Sequence, residues 1–342
     1  KTKLITRQTP SSARAGGTTL IILSAEHISQ ALSMKEAIQA VEDGFTKLSL
    51  NKVLMPQRTT LTFNNVWHGI MPCILLNEEK LSIKLVSVAL DNKLKGLPTT
   101  SAQLALIDAH TGQLLALMEA TLLTAMRTGA ASAIATKYLA LKNIESLGII
   151  GAGFQARFQL KAIREVRAFK RALVFDVVKR AAEKFANEMS KKLGLDIMAV
   201  DSAKQVASKS EVIVTATTSK TPVLLGEWVN EGVHVNAIGA HTPDARELDD
   251  DLIMKSKLVV DQREACLREA GDLIIPISKG LFSQDKIYAE LGEITSGSKP
   301  GRTTDDEITV FKSVGLAVQD AAVAKVAYEK AVKMGIGYEV KL

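Results

Sequence analysis

Residues 148–158 read GIIGAGFQARF. An apolar run ends in a glycine turn, and a segment with helical spacing follows. Gly151, Gly153 and Ala156 stand in G-x-G-x-x-A register. In that register the first glycine makes the tight turn and the second lets the backbone approach a pyrophosphate. The small third residue lets the helix pack closely on the strand. The helix N-terminus then stabilises phosphate charge. The motif carries weight only between a strand and a helix. The following segments supply that setting. QARFQLKAIREV reads as a helix, RALVFD as a strand and KRAAEKFANEMSKKLG as a helix. EVIVTATT, VHVNAIGA and SKLVVDQ read as further strands. Apolar strands alternating with helices predict a doubly wound parallel sheet covered on both faces, an α/β domain of Rossmann type.

Asp176 ends the second strand of this unit. A carboxylate there accepts hydrogen bonds from a ribose 2′-hydroxyl and repels a 2′-phosphate. NAD(H) is therefore the expected cofactor. Lys179 and Arg180 follow closely and soften the preference, which leaves NADP(H) open. The plain alternative is a glycine turn with no cofactor.

The rest of the chain reads differently. Residues 1–19 are rich in Ser, Thr and Arg, lack acids, and are expected to be a leader or extension outside the fold. Ser24 is a candidate N-cap for the helical run that follows. RTTLTF, HGIMPCILL, LSIKLVSVAL and GQLLALMEA read as short strands of an antiparallel or mixed sheet. LTAMRTGAASAIATKYLAL reads as a helix whose small residues permit close packing. ITVFKSVGLAVQDAAVAKVAYEKAVKMG reads as one or two helices.

The 342 residues carry a net charge of +6, with basic residues scattered and aromatics at only 4%. Neither a basic stripe nor stacking residues are present, so nucleic acid is not an expected partner. No apolar run reaches membrane-spanning length, so a membrane is not expected either. The two cysteines, Cys73 and Cys266, form no metal-ligand pattern, and no metal is expected. Unpaired thiols suit a reducing cytoplasm.

Three cations stand out. Lys84 lies inside an apolar strand, and Arg127 lies in the small-residue helix. Arg58, before a strand, is the weaker candidate. A buried cation is costly unless it meets an anion, so a shared pocket for these groups suits a carboxylate-bearing substrate. The alternative for each is a solvated face. A fourth candidate is His241, in the turn GAHTPDAREL after an apolar strand. Ligands of open α/β sheets bind at such strand ends. His241 is either a proton donor facing a substrate or a turn residue bonded to a backbone carbonyl.

From about Leu20 onward, the chain resembles the ornithine cyclodeaminase/mu-crystallin family. The likeness rests on MPQRTTL, SIKLVSV, LTAMRTGAASAIATKYLA, GIIGAGFQA, GAHTPDARELDDDL, IYAELGEITSGSKPGR and TVFKSVGLAVQDAAVAK, taken in order. RTGAASAIATKYL and FKSVGLAVQD are closest to the mu-crystallin branch. The resemblance implies a homodimer. It implies an α+β substrate and dimerisation domain of residues 20–125 plus 318–342, and a Rossmann domain of residues 126–317. It also implies roles. Arg58 and Arg127 hold the substrate carboxylate, and Lys84 stands beside the reacting nitrogen and carbon. Arg127, Thr128, Gly151, Gly153, Phe154, Gln155, Asp176, Val177, Val178, Thr215, Thr217 and Gly239 line the cofactor site, with Val314 and Gly315 near the nicotinamide.

Family members cyclise ornithine to proline, aminate pyruvate to alanine, or reduce cyclic ketimines. The cyclodeaminase pattern has a carboxylate where this chain has His241, and an anion there would stabilise the second amino group of a diamine. Its absence lowers cyclodeamination, and alanine dehydrogenase less so. The expected activity is reduction of Δ1-pyrroline-2-carboxylate or Δ1-piperideine-2-carboxylate to L-proline or L-pipecolate. Lys84 and His241 are the candidate catalytic residues. A non-catalytic, crystallin-type binder of NAD(P)H and a small ligand is the alternative of another class.

Overall fold

The computed structural model describes residues 3–4 and 19–341. Apart from Lys3, Leu4 and Thr19, the expected extension lies outside the described residues. The chain forms two compact units, residues 1–127 with 316–342, and residues 128–315. The crossing points therefore fall at 127/128 and 315/316, against the expected 125/126 and 317/318.

The first unit is built on a nine-stranded mixed sheet. Strands Val66–Leu75, Lys80–Val88, Thr100–Asp108 and Leu114–Glu119 form an antiparallel meander. Strand Thr19–Leu23 joins Leu114–Glu119 in parallel. Strand Thr100–Asp108 is an addition to the expected set. Its TSAQLALID run alternates polar and apolar residues as a half-buried strand does.

The meander buries one face, on which Met71, Cys73, Ser82, Lys84, Val86, Ala102, Leu104, Leu106, Ala116 and Met118 all lie. The long C-terminal helix Ala317–Met334 packs on this face and against helix Met34–Ser49. The two helices pack closely at Gly44, where a Cβ would stand in ordinary contact with Ala322 and Val318. Ser24 caps helix Ala25–Ala31 as expected. The helical run does not continue unbroken, because Ser33 caps a second helix, Met34–Ser49.

The last stretch corrects an expectation. ITVFK is not helical: Thr309–Lys312 is a fully buried strand. A short run of β-branched and aromatic residues carries no helical period, and burial on both faces of a parallel sheet removes the alternation too. Gly315, at φ +80°, breaks the chain before the helix begins.

The second unit is an eight-stranded, all-parallel sheet. Its order is Asp196–Ala199, Arg171–Phe175, Ser146–Ile150, Val212–Thr215, His234–Ala237, Thr309–Lys312, Lys257–Val260 and Ala289–Glu290. Chain direction across the sheet reverses between Ser146–Ile150 and Val212–Thr215, the usual ligand-binding crevice of doubly wound sheets. The small-residue helix Thr121–Leu139 has its reason at Gly129. A Cβ there would lie 2.7 Å from the Phe158 carbonyl oxygen, in helix Phe154–Val166.

Candidate active site

Candidate residues fall in both units, and the first holds the cations. Lys84 is the central residue of its strand, 1% exposed, with Met71 and Leu104 as cross-strand neighbours. Its ammonium pairs with Asp320 of the C-terminal helix, Nζ to Oδ2 2.7 Å. Asp320 is equally buried, and its Oδ1 accepts from Arg127 Nε at 3.1 Å. Arg127 Nη1 also donates to Gln319 Oε1 at 2.7 Å. Gln319 in turn caps its helix by accepting from the Leu316 N–H. Arg58 is half-buried, and its charge acts on Lys84. Burial pushes the Lys84 ammonium down to about 7; Arg127 and Arg58 push the same way, and Asp320 opposes them. Lys84 and Arg127 thus share the Asp320 carboxylate.

Asp320 and Gln319 are absent from the expected site. Two cations expected to be buried call for an anion nearby, but not for a particular one. The segment of Asp320, GLAVQDAAVAK, reads as an apolar helix face and hid it.

The second unit holds the glycine turn. Gly151 sits at φ +98°, and a Cβ there would lie 2.5 Å from the Ala216 carbonyl oxygen, so only glycine fits. At Gly153 a Cβ would meet nothing, leaving the approach open. Gly153 is also the N-cap of helix Phe154–Val166 and offers no side-chain cap. The first-turn N–H groups thus keep the donor capacity a phosphate uses. Asp176 Oδ2 accepts from Ala152 N at 2.8 Å and Oδ1 from Val178 N at 2.9 Å. That carboxylate ties the end of the second strand to the turn, and each oxygen retains a lone pair for a ribose hydroxyl. Val177, Val178 and Phe154 are exposed apolar groups beside it. A dinucleotide fits this arrangement.

The loops at the carboxyl ends of the next strands are held by buried carboxylates. Glu247 accepts from Thr215 Oγ1 at 2.8 Å, from Thr217 N at 2.6 Å and Oγ1 at 2.8 Å, and from Gly239 N at 2.7 Å. Asp272 accepts from Glu247 N and Leu248 N and pairs with Lys312 at 2.8 Å. Lys312 Nζ also donates to the Ala240 carbonyl at 2.6 Å. Burial works against the charge on Lys312, but Asp272 and Glu247 outweigh it and hold its pKa above the usual lysine range. Asp261 Oδ2 accepts from Ser313 Oγ, Val314 N and Gly315 N. Thus Thr215, Thr217 and Gly239 share one carboxylate, and Val314 and Gly315 share another. His241 sits in the turn so fixed, half-buried, with Nδ1 3.2 Å from the Gly239 carbonyl oxygen. That contact fits the turn reading of His241.

The family model for the ornithine cyclodeaminase/mu-crystallin family matches residues 19–335. The chain belongs to this family. Alanine dehydrogenase of Archaeoglobus fulgidus is 42% identical over 94% of this chain and 98% of its own. A Δ1-pyrroline-2-carboxylate reductase of Bacillus cereus is 40% identical over 94% of this chain and all of its own. Among solved structures, the Thermococcus litoralis Δ1-pyrroline-2-carboxylate reductase with NADH and L-proline superposes at TM-score 0.91 and 49% identity. That match covers 93% of this chain and 99% of the other. An archaeal alanine dehydrogenase dimer with bound NAD superposes at 0.90 and 40% identity, over 95% and 99% of the two chains.

Proposed function

We propose that this family member is an NAD(H)-dependent reductase of cyclic ketimines, converting Δ1-pyrroline-2-carboxylate or its six-membered homologue to the cyclic L-amino acid. The observation that carries the reading is the buried Lys84, flanked by Arg127 and Arg58 and paired to one carboxylate. A cluster of cations around Lys84 suits a substrate carboxylate. An amine titrating near neutral pH suits proton transfer to a substrate nitrogen. His241 brings no anion for a second amino group, which separates this chain from diamine cyclisation. The names of the 40% and 49% identical relatives agree with this reading.

Bound NADH supplies the hydride. Gly151, Gly153 and the N–H groups of helix Phe154–Val166 hold its pyrophosphate, and Asp176 holds its ribose and disfavours a 2′-phosphate. Arg127 and Arg58 bind the substrate carboxylate. Lys84 delivers a proton to the substrate nitrogen. Holding both reactants in place lowers the barrier further.

The working unit is proposed to be a homodimer, as in the archaeal alanine dehydrogenase. The outer face of the meander supports this, with Ile70, Ile83, Leu85, Ala105 and Leu117 side by side. Leu85 is 49% and Leu117 38% exposed. Among the described residues no helix is long and apolar enough to cross a membrane. Cys73 and Cys266 are unpaired buried thiols, which supports a reducing cytoplasm.

The test is loss of NADH absorbance with Δ1-pyrroline-2-carboxylate, Δ1-piperideine-2-carboxylate, pyruvate plus ammonia, or ornithine plus NAD. An imine acid should be the best substrate. Faster turnover of pyruvate and ammonia would favour the alanine dehydrogenase reading, which the 42% identical relative supports. Cofactor binding without turnover of any would favour a binding protein.

A further inference from the structure

We infer that Asp320 is the positioning residue of the proton transfer: it aims the Lys84 ammonium and keeps it charged until the substrate nitrogen takes its proton. The inference rests on the ketimine reading above. It begins from geometry inside one unit. Asp320 lies in the first turn of helix Ala317–Met334, where the helix dipole favours a carboxylate. Its two oxygens are divided between two cations, Oδ2 to Lys84 at 2.7 Å and Oδ1 to Arg127 Nε at 3.1 Å. A carboxylate anchored by a guanidinium cannot rotate freely, so Oδ2 is held within ion-pair distance of Nζ. Arg127 is itself held by Gln319, the adjacent residue of the same turn. The four groups form one rigid unit around Nζ.

Charge supports the same role. Among the described residues, the charges acting most on Lys84 are Asp320 from the C-terminal helix, Arg127 from helix Thr121–Leu139, and Arg58 from before strand Thr59–Phe63. Of these three, Asp320 is the anion. Cys73, on the neighbouring strand, also feels Asp320, but burial pushes its thiol up to about 12 and it stays neutral. Without Asp320, burial and two cations would act unopposed, and Lys84 would lose its proton at a lower pH.

The step balances. An Nζ–H bond of Lys84 breaks as an N–H bond forms on the imine nitrogen. The hydride forms the new C–H bond, and its electron pair takes the place of the C=N π bond, whose pair goes to nitrogen. Lys84 is left a neutral amine beside the Asp320 carboxylate, and solvent returns the proton. The sum is imine acid plus NADH plus a proton, giving amino acid plus NAD.

The test compares the full-length enzyme with Asp320→Asn and Asp320→Glu. Imine reduction by the unaltered enzyme should fall as pH rises through the Lys84 pKa. In Asp320→Asn that limb should move at least one pH unit lower, with turnover at pH 7 down about fivefold or more and NADH affinity unchanged. In Asp320→Glu the limb should return toward its original position, while kcat stays reduced because Nζ is displaced. A second readout needs no turnover: nitrogen NMR of 15N-lysine-labelled, cofactor-free protein should show the Lys84 signal titrating lower in Asp320→Asn. If limb and Lys84 titration both stay in place in Asp320→Asn, the assignment is overturned. If Asp320→Asn does not fold, Asp320→Glu decides, and an unchanged kcat there overturns it. Failure of the unaltered enzyme to reduce any imine acid would sink the ketimine reading instead, while the Lys84 titration would still decide the role of Asp320.

Discussion

Lys84, Arg127 and His241 each have a separable expected effect. Lys84→Ala removes the proton donor but leaves the Asp320–Arg127 pair, so the fold should hold. Turnover should fall by about 10²–10⁴, the usual worth of a positioned acid, while NADH binding followed by fluorescence stays near normal. Full turnover would remove Lys84 from the chemistry. Arg127→Ala takes away a partner of the substrate carboxylate. KM for the imine acid should rise about 10- to 100-fold, matching a charged hydrogen bond of ~1.5–3 kcal/mol. An unchanged KM would exclude Arg127 from carboxylate binding. At His241 the informative change is to Asp. A carboxylate facing the Gly239 carbonyl cannot replace the imidazole donor, so imine reduction should weaken. A new anion in the turn should also raise the trace rate on ornithine. If neither rate moves, His241 has no part in choosing the reaction.

At the level of elements, the parts with local signals were legible in the sequence and the parts made by convergence were not. The glycine turn, the two strands around it and Asp176 follow from G-x-G-x-x-A and its spacing, because each residue there does a local backbone job. Lys84 and Arg127 were legible as charges out of place. Asp320, Glu247 and Asp272 were not, because nothing near them in sequence shows which cations or N–H groups they will meet. The strand Thr309–Lys312 failed for a related reason: buried on both sides, it has no alternation to read. The Glu247 contacts make the convergence testable. Glu247→Gln would point an amide N–H₂ at donors that now share a carboxylate. A loss of about 1–3 kcal/mol, the cost of an unsatisfied buried hydrogen-bonding group, should show as a lower melting temperature. The NADH KM should rise with it, because Thr215, Thr217 and Gly239 lose their common anchor. An unaltered melt and KM would mean the strand ends are held by other contacts.

For the whole molecule, the outer face of the meander stands out. A sheet with one face under helices usually turns polar residues to the other. Here Leu85 and Leu117 remain exposed beside Ile70 and Ile83. A patch of this kind marks an interface. Leu85→Asp places a charge at its middle and should shift the protein toward monomer in size-exclusion chromatography. Retention of a dimer would place the interface elsewhere.

That uncovered face also sets a condition on how the protein must be handled. If the sheet is closed only by a second subunit, stability depends on mass action, and each dilution withdraws part of what holds the sheet together. Specific activity would then fall below a threshold protein concentration even with every catalytic side chain intact. Lys84 is mounted on the covered side of the same strands, so losses at the outer face would reach it through one layer of backbone.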